Sequence, residues 1–421
     1  MLQAYYALFS EVSLYAVNLS LLFVLLNLAA FYVFGYVQSC LLKKKTDYRY
    51  YNLYREEQFR ESASRWYSMS RDEYAEYMEE QDRRALDTVY ESFTEFKHAP
   101  ASGKYYNMSE HGFRHVSNQG PWPLDPANFN IFIYGGSTTI HPGADSHSVA
   151  SYLQGLLSEK LEKNVCVYNF GRSAYFSTQE KILHSTLLLK GHRPDLAIFF
   201  HGLNDFYFYD RQPVTRGCFH LALLEKNRIA REMLNNAQAA SPQWGALRKF
   251  FTTLPLFRLA SLMLSYYENI SSTGESHCDN VKNSAATNRM IVDELLHNHQ
   301  EIRAVSTVFG VKVSFFIQPV PTYGYDLQYH EPFRMLKHSG GFMGQDRAGD
   351  GYPMLLNELA SVEHSFDDVF SLADIQRDIK RNIYVDHCHY TAWFASVIAG
   401  HMSDRLIASG IVNPSWQAAE K

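Results

Sequence analysis

Apolar and polar positions fall into three regimes along the chain. Residues 12 to 42 contain no Asp, Glu, Lys or Arg, and their centre reads LSLLFVLLNLAAFYVFGYV from Leu19 to Val37. A bilayer core takes about 20 apolar residues in helix, so this stretch predicts one membrane-spanning helix with room for tilt. Tyr15, Tyr32 and Tyr36 suit the interfacial belt, and Lys43, Lys44 and Lys45 form a stop. A cleaved signal peptide fits poorly. No basic residue precedes the apolar run, the run is too long, and no small-residue cleavage site stands out. Arg49, Arg55 and Arg60 follow the three lysines, so the positive-inside rule places the bulk of the chain in the cytoplasm.

The second regime, residues 46–97, is rich in Tyr and Glu. Its second half repeats Leu86, Val89, Tyr90, Phe93 and Phe96 at helical spacing, which predicts an amphipathic connector helix. Pro100 to Asp125, with Gly112, Gly120, Pro121 and Pro123, reads as loop.

The third regime alternates short apolar runs with helical stretches. The runs are Asn130–Tyr134, Val165–Asn169, Leu196–His201 and Val311–Ile317, with a weaker one at Val369–Leu372. A helical stretch is expected from the first run through Leu161. Apolar runs bounded by turn residues and separated by helices predict a parallel sheet covered on both faces. About a hundred residues separate the third and fourth runs, far more than a crossover needs. Helices are expected there near Leu221–Asn236, Trp244–Tyr267 and Ala285–Val308. Within them LPLFRLASLML (Leu254–Leu264) reads as a packed helix rather than a membrane-touching lid. The chain thus divides into an anchor at 1–45, a connector and loop at 46–125, and an α/β domain at 126–412 with a helical insert at about 206–310.

Composition adds exclusions. Over 421 residues, Lys+Arg 39 against Asp+Glu 44 gives a net charge of -5. The uncharged anchor dilutes this, and residues 46–421 alone carry -7. A dedicated nucleic-acid binder would show a basic excess instead. Five cysteines exclude a disulfide scaffold, although Cys218 and Cys278 could pair outside the cytoplasm.

In an open α/β sheet, ligands bind beyond the carboxyl ends of the strands. The residues there are Gly135-Gly136-Ser137-Thr138-Thr139, Asn169-Phe170-Gly171-Arg172-Ser173 and Gly202-Leu203-Asn204-Asp205. Asp386-His387-Cys388-His389 precedes the last helical run. The first places a hydroxyl at a strand-to-helix turn, where free N–H groups favour an oxyanion. A phosphate loop is excluded for want of the lysine of GxxxxGK[ST]. The second and third supply neutral donors, the Gly171 N–H and the Asn204 amide, of the kind acyl transfer needs. In the fourth, a carboxylate three residues before a histidine can reach its near ring nitrogen and leave the far one free. A metal role for His387-Cys388-His389 is weaker, because no companion Cys or His pair stands at zinc spacing. Taken singly, each block also reads as a cap or turn.

In this order the four blocks resemble the SGNH/GDSL esterase family over Phe129 through Gly410. That resemblance implies a flavodoxin-like three-layer α/β/α sandwich with a central parallel sheet. It implies Ser137 as nucleophile and first oxyanion N–H, Gly171 and Asn204 completing the hole, His389 as base and acid, and Asp386 as its partner. Gly136 stands where the family name implies Asp. The expected activity is a membrane-anchored serine esterase working through an acyl-serine, with no cofactor or metal. Its partners would be an acylated small molecule, glycan or lipid, the membrane through residues 12–42, and no nucleic acid. The rivals are an O-acetyltransferase or acetylesterase on cell-surface glycans, which needs an extracytoplasmic domain, then a lysophospholipase, then a non-catalytic binding protein.

Overall fold

The structure is a computed structural model that describes residues 2–45, 57–84, 88–161, 163–207, 253–260, 283–335, 346–362 and 366–413. The expected helix at Leu221–Asn236, most of that at Trp244–Tyr267, and any Cys218–Cys278 pair lie outside these residues. The chain forms two compact units.

One unit holds helix α1 (Leu2–Lys45) and the described stretch 253–260. Within α1, Phe9–Phe34 is long and apolar enough to cross a membrane. Its 26 residues rise about 39 Å at 1.5 Å each, against a hydrocarbon core of about 30 Å.

The other unit begins with α2 (Glu57–Trp66) and α3 (Arg71–Arg84). Ser70 caps α3 reciprocally: its hydroxyl accepts the Glu73 N–H at 3.2 Å, and Glu73 accepts the Ser70 N–H at 2.9 Å. The two helices share an aromatic cluster of Phe59, Trp66, Tyr67, Tyr74 and Tyr77 with Tyr105.

The helix expected over residues 86–96 is not formed. Instead β1 (Thr88–Glu91) and β2 (Glu95–His98) make an antiparallel hairpin, Thr88 opposite His98. Phe93 and Glu95 take left-handed backbone angles, φ 69 and 73, which close the turn and which a helix excludes. Among the described residues of the expected apolar face only Phe96 is buried, and Phe93 is 84% exposed. Buried Arg172 holds the hairpin by pairing with Glu91 and donating to the Phe96 carbonyl at 3.1 Å. Tertiary contact thus overrides the local periodicity.

The main sheet comprises β3 (Phe129–Gly135), β4 (Val165–Asn169), β5 (Leu196–His201), β6 (Lys312–Ile317) and β7 (Val369–Ser371). All are parallel, in the order β4-β3-β5-β6-β7. This is the doubly wound 2-1-3-4-5 order, whose switch point lies between β3 and β5. The helix expected through Leu161 is broken. Short α4 (Ser137–Ile140) ends at His141, where φ is 68 and Pro142 follows, and α5 starts only at Val149 and runs to Lys160. A residue before proline is steered out of the helical region.

Further helices include α6 (Ser177–Leu189), α7 (Leu203–Tyr207), α8 (Ala285–Phe309), α9 (Asp346–Val362) and α10 (Ala392–Ala408). Alternate side chains of β3 feed two cores. Ile131 and Ile133 pack with Val149, Leu153, Phe394 and Ile398, whereas Phe132 and Tyr134 pack with Leu183, Leu187 and Ile302. Helices α5 and α10 therefore cover one face, and α6 and α8 the other, which makes three layers.

Candidate active site

Strand β3 ends in Gly135-Gly136, and Ser137 opens α4. The helix is too short to pair its first N–H groups, so those of Ser137 and Thr138 have no intrahelical acceptor. The Ser137 side chain is half-buried, and its hydroxyl makes no hydrogen bond among the described residues. A Cβ at Gly136 would overlap Asn204 Nδ2 and lie 3.1 Å from the Tyr175 carbonyl. The glycine standing in place of Asp is therefore what lets the Asn204 amide come this close. Gly136→Ala is expected to lower turnover about a hundredfold, the effect of losing one aimed donor, while thermal unfolding shifts little. Ester hydrolysis beside a melting curve measures both.

Asn204 is the second residue of α7, just after β5. Its Nδ2 donates to the Tyr175 carbonyl at 2.7 Å, leaving its second N–H for another acceptor. Asp205 beside it accepts from the Ser177 N–H at 3.1 Å and hydroxyl at 2.5 Å, so it holds the loop rather than a ligand.

Gly171 packs on α4, where a Cβ would lie 2.5 Å from the Ile140 nitrogen. Its N–H donates to Asn169 Oδ1 at 3.0 Å, and Asn169 Nδ2 donates to the Thr139 carbonyl at 2.9 Å. Asn169 thus ties this loop to α4 and already occupies the Gly171 donor.

Asp386 and His389 sit in one tight turn, closed by the Val385 N–H on the His389 carbonyl at 2.8 Å. Asp386 Oδ1 accepts the Cys388 and His389 N–H groups at 2.9 and 2.8 Å, and Oδ2 is 2.6 Å from His389 Nδ1. Burial alone would raise the Asp386 carboxyl, but His389, His387 and the backbone donors hold it well below the usual carboxylate range. Burial would lower His389, yet Asp386 first and Cys388 next lift it well above 6.5. The Cys388 thiol, which burial would raise, is drawn down to about 6 by His389 and His387. His387 and Cys388 are thus electrostatic neighbours of the dyad. Donor atoms of Asp386, Cys388 and His389 all lie within 4.8 Å, the one metal-capable cluster among the described residues. His389 Nδ1 meets both Asp386 Oδ2 at 2.6 Å and, more loosely, Cys388 Sγ at 3.6 Å, so the close pair is the Asp386–His389 dyad.

No hydrogen bond joins Ser137 to His389 among the described residues. What connects them is Gln318, buried after β6. Its Nε2 donates to Thr138 Oγ1 at 3.2 Å and to the Tyr390 hydroxyl at 3.1 Å, the residues next to Ser137 and His389. The Tyr390 hydroxyl in turn donates to the Pro319 carbonyl at 2.8 Å. Buried His141 lies close enough to feel the charge of His389. Burial, then the charges of Arg114, His147 and His389, press it well below 6.5, so it stays neutral.

Sequence reasoning missed Gln318, Asn169 and His141. Each is a polar residue ending an apolar run or breaking a helix, where turn formation is the commoner use. Ser173 and His201 have other partners. The Ser173 N–H donates to His98 Nε2 at 3.1 Å, and His201 is buried between Glu180 and His299, 2.8 Å from each. Burial pushes Glu180 up to about 7.

No family model matches the chain, and no curated protein does. Solved structures that resemble it include a G-D-S-L family lipolytic protein from Desulfitobacterium hafniense DCB-2, 10% identical over 66% of this chain and 100% of that one, with TM-score 0.34. A lipase/acylhydrolase from Enterococcus faecalis is 14% identical over 68% and 99%, with TM-score 0.35. A carbohydrate acetylesterase family member from Sinorhizobium meliloti is 12% identical over 67% and 99%, with TM-score 0.31. At these scores the likeness carries no argument about chemistry, which rests on the side chains above.

Proposed function

We propose that the chain is a membrane-anchored serine hydrolase of carboxylic esters, of SGNH/GDSL type. The observation that carries this reading is the Asp386–His389 pair at 2.6 Å, tied through Gln318 to the helix that Ser137 opens. His389 Nε2 takes the Ser137 proton as Oγ attacks the ester carbonyl, and the alcohol leaves with that proton. Water then attacks the acyl-serine, again with His389 as base, and frees the acid. Asp386 stays ionised and fixes the tautomer. The free Asn204 N–H and the Ser137 N–H stabilise the oxyanion, and the Gly171 N–H joins them as a bifurcated donor that keeps its Asn169 Oδ1 acceptor.

A fluorophosphonate probe is expected to label Ser137 in the folded full-length protein, mapped by peptide mass spectrometry. An absence of labelling there, with no turnover on short esters, acetylated sugars or lysophospholipids, would leave a non-catalytic binding protein. The same panel assigns the acyl class and separates esterase from acetylesterase and lysophospholipase.

The pH dependence follows from the raised His389. Only the neutral ring accepts the Ser137 proton, so kcat/KM rises with pH, with its inflection above the ordinary value of 6.5. Asp386→Asn removes the main cause of the shift and is expected to move the inflection down while depressing the plateau. A flat profile from about pH 5 to 9 would exclude His389 as the base.

The anchor reading rests on Phe9–Phe34 and the charge bias after it. A reporter fused to the C-terminus is expected to be active in the cytoplasm. Activity outside would favour a substrate on the cell surface.

A further inference from the structure

From Phe250 to Tyr267 the insert reads FFTTLPLFRLASLMLSYY, with Arg258 its sole charge. Sequence alone suggests a packed helix rather than a membrane-touching lid. The described part, 253–260, belongs instead to the same compact unit as α1.

The contact is specific. The Arg258 N–H donates to the Leu254 carbonyl at 3.0 Å, so a turn of helix opens at Pro255, which has no N–H to satisfy. The next free donor, the Leu256 N–H, goes to Asn27 Oδ1 at 3.3 Å, 229 positions away in sequence. Asn27 Nδ2 donates within α1 to the Phe23 carbonyl at 2.9 Å, which fixes the amide orientation. Asn27 thus caps the start of the insert's helix from another helix. One turn further along α1, Ala30 is 3% exposed while its neighbour Phe31 is 62% exposed, so the covered stripe of α1 runs along the Asn27 side.

Depth makes this contact informative. Asn27 lies seven residues inside the end of Phe9–Phe34, about 10 Å at helical rise, within a hydrocarbon core about 30 Å thick. A backbone N–H at that depth must find a protein acceptor, and small residues such as Ala30 let backbones approach. Phe257, 47% exposed, is then suited to acyl chains, and exposed Arg258 reaches for headgroups along its aliphatic stem.

We infer that 253–260 is a second membrane-embedded element, docked on α1 through Asn27, whose outer surface meets the acyl chains of a phospholipid bilayer. The chain then meets the bilayer at two places in its sequence, at α1 and at 253–260. This rests on the reading of Phe9–Phe34 as a span, and the experiment separates the two. Full-length protein carrying Cys40, Cys218 and Cys278→Ser, whose buried Cys166 and Cys388 give the background that is subtracted, receives one added cysteine at Val24, Phe257 or Asp404. Membranes are opened by sonication so that both faces meet a membrane-impermeant maleimide. Val24→Cys and Phe257→Cys are expected to label at least tenfold more slowly than Asp404→Cys, and to reach its rate in detergent. Adding Asn27→Leu is expected to raise Phe257→Cys labelling several-fold, with Asn27→Gln restoring protection. Rapid labelling of Phe257→Cys with Val24→Cys protected overturns the inference and leaves the span intact. Rapid labelling of both overturns the span and the inference with it. Unchanged labelling in Asn27→Leu overturns the docking.

Discussion

Ser137→Ala is expected to lower kcat for p-nitrophenyl acetate by at least ten-thousand-fold and to leave thermal unfolding within about 0.5 kcal/mol of wild type. The split follows from the site. The Ser137 hydroxyl makes no hydrogen bond among the described residues and is half-buried, so removing it deletes no folding contact. His389→Ala is expected to match the kinetic loss but to cost more stability. It leaves the buried Asp386 carboxylate with its two backbone donors and without its ring partner, about 1–3 kcal/mol. Because nucleophile and base act as one unit, the double variant should be no slower than either single one. Initial-rate kinetics on purified variants beside calorimetry measure this, and turnover of Ser137→Ala within tenfold of wild type would remove Ser137 as nucleophile.

Much of the sheet was legible because buried parallel strands are written as apolar runs. Val165–Asn169 and Leu196–His201 match their strands end to end, and the other runs differ by a residue or so. Position beyond those strands was also legible, since every candidate block follows a strand or precedes the last helix. Asp386 reaches the near nitrogen of His389, as its spacing of three residues allows.

What the sequence did not disclose depends on partners far along the chain. The Leu86–Phe96 pattern suits a helix by period, yet Arg172, 81 positions on, holds Glu91 and makes a hairpin of it. In one dimension Gly136 is only a glycine where the family name implies Asp. In three it clears the space that the Asn204 amide fills. Gln318 carries no signal in the sequence beyond ending a strand, and its bridging role exists only once β6 lies beside β5.

Arg114→Ala is expected to be among the most destabilising single substitutions, at about 3–5 kcal/mol, and to inactivate the protein through the nucleophile turn. Arg114 lies in the stretch that sequence reads as loop, yet its side chain is wholly buried. Its Nε donates to Asp145 at 2.8 Å, Nη1 donates to the carbonyls of Ile140 at 2.6 Å and of His141, and Nη2 donates to that of Gly143. These acceptors are the carboxyl end of α4 and the turn at Pro142, so one cation satisfies the orphan carbonyls of the helix that Ser137 opens. Without it, three buried carbonyls lose this donor together, and the mostly buried Asp145 carboxylate keeps Asn107 Nδ2 at 2.8 Å but loses its charged partner. Lysine keeps the charge but has no planar fork to reach four acceptors, so Arg114→Lys should recover only part of the loss. Lys160→Ala, which breaks an exposed pair with Asp404 at 2.8 Å, should cost less than about 1 kcal/mol and serves as the contrast. Urea unfolding in detergent, followed by tryptophan fluorescence, gives the ranking. A midpoint for Arg114→Ala equal to that of Lys160→Ala would show that the guanidinium does not hold this turn.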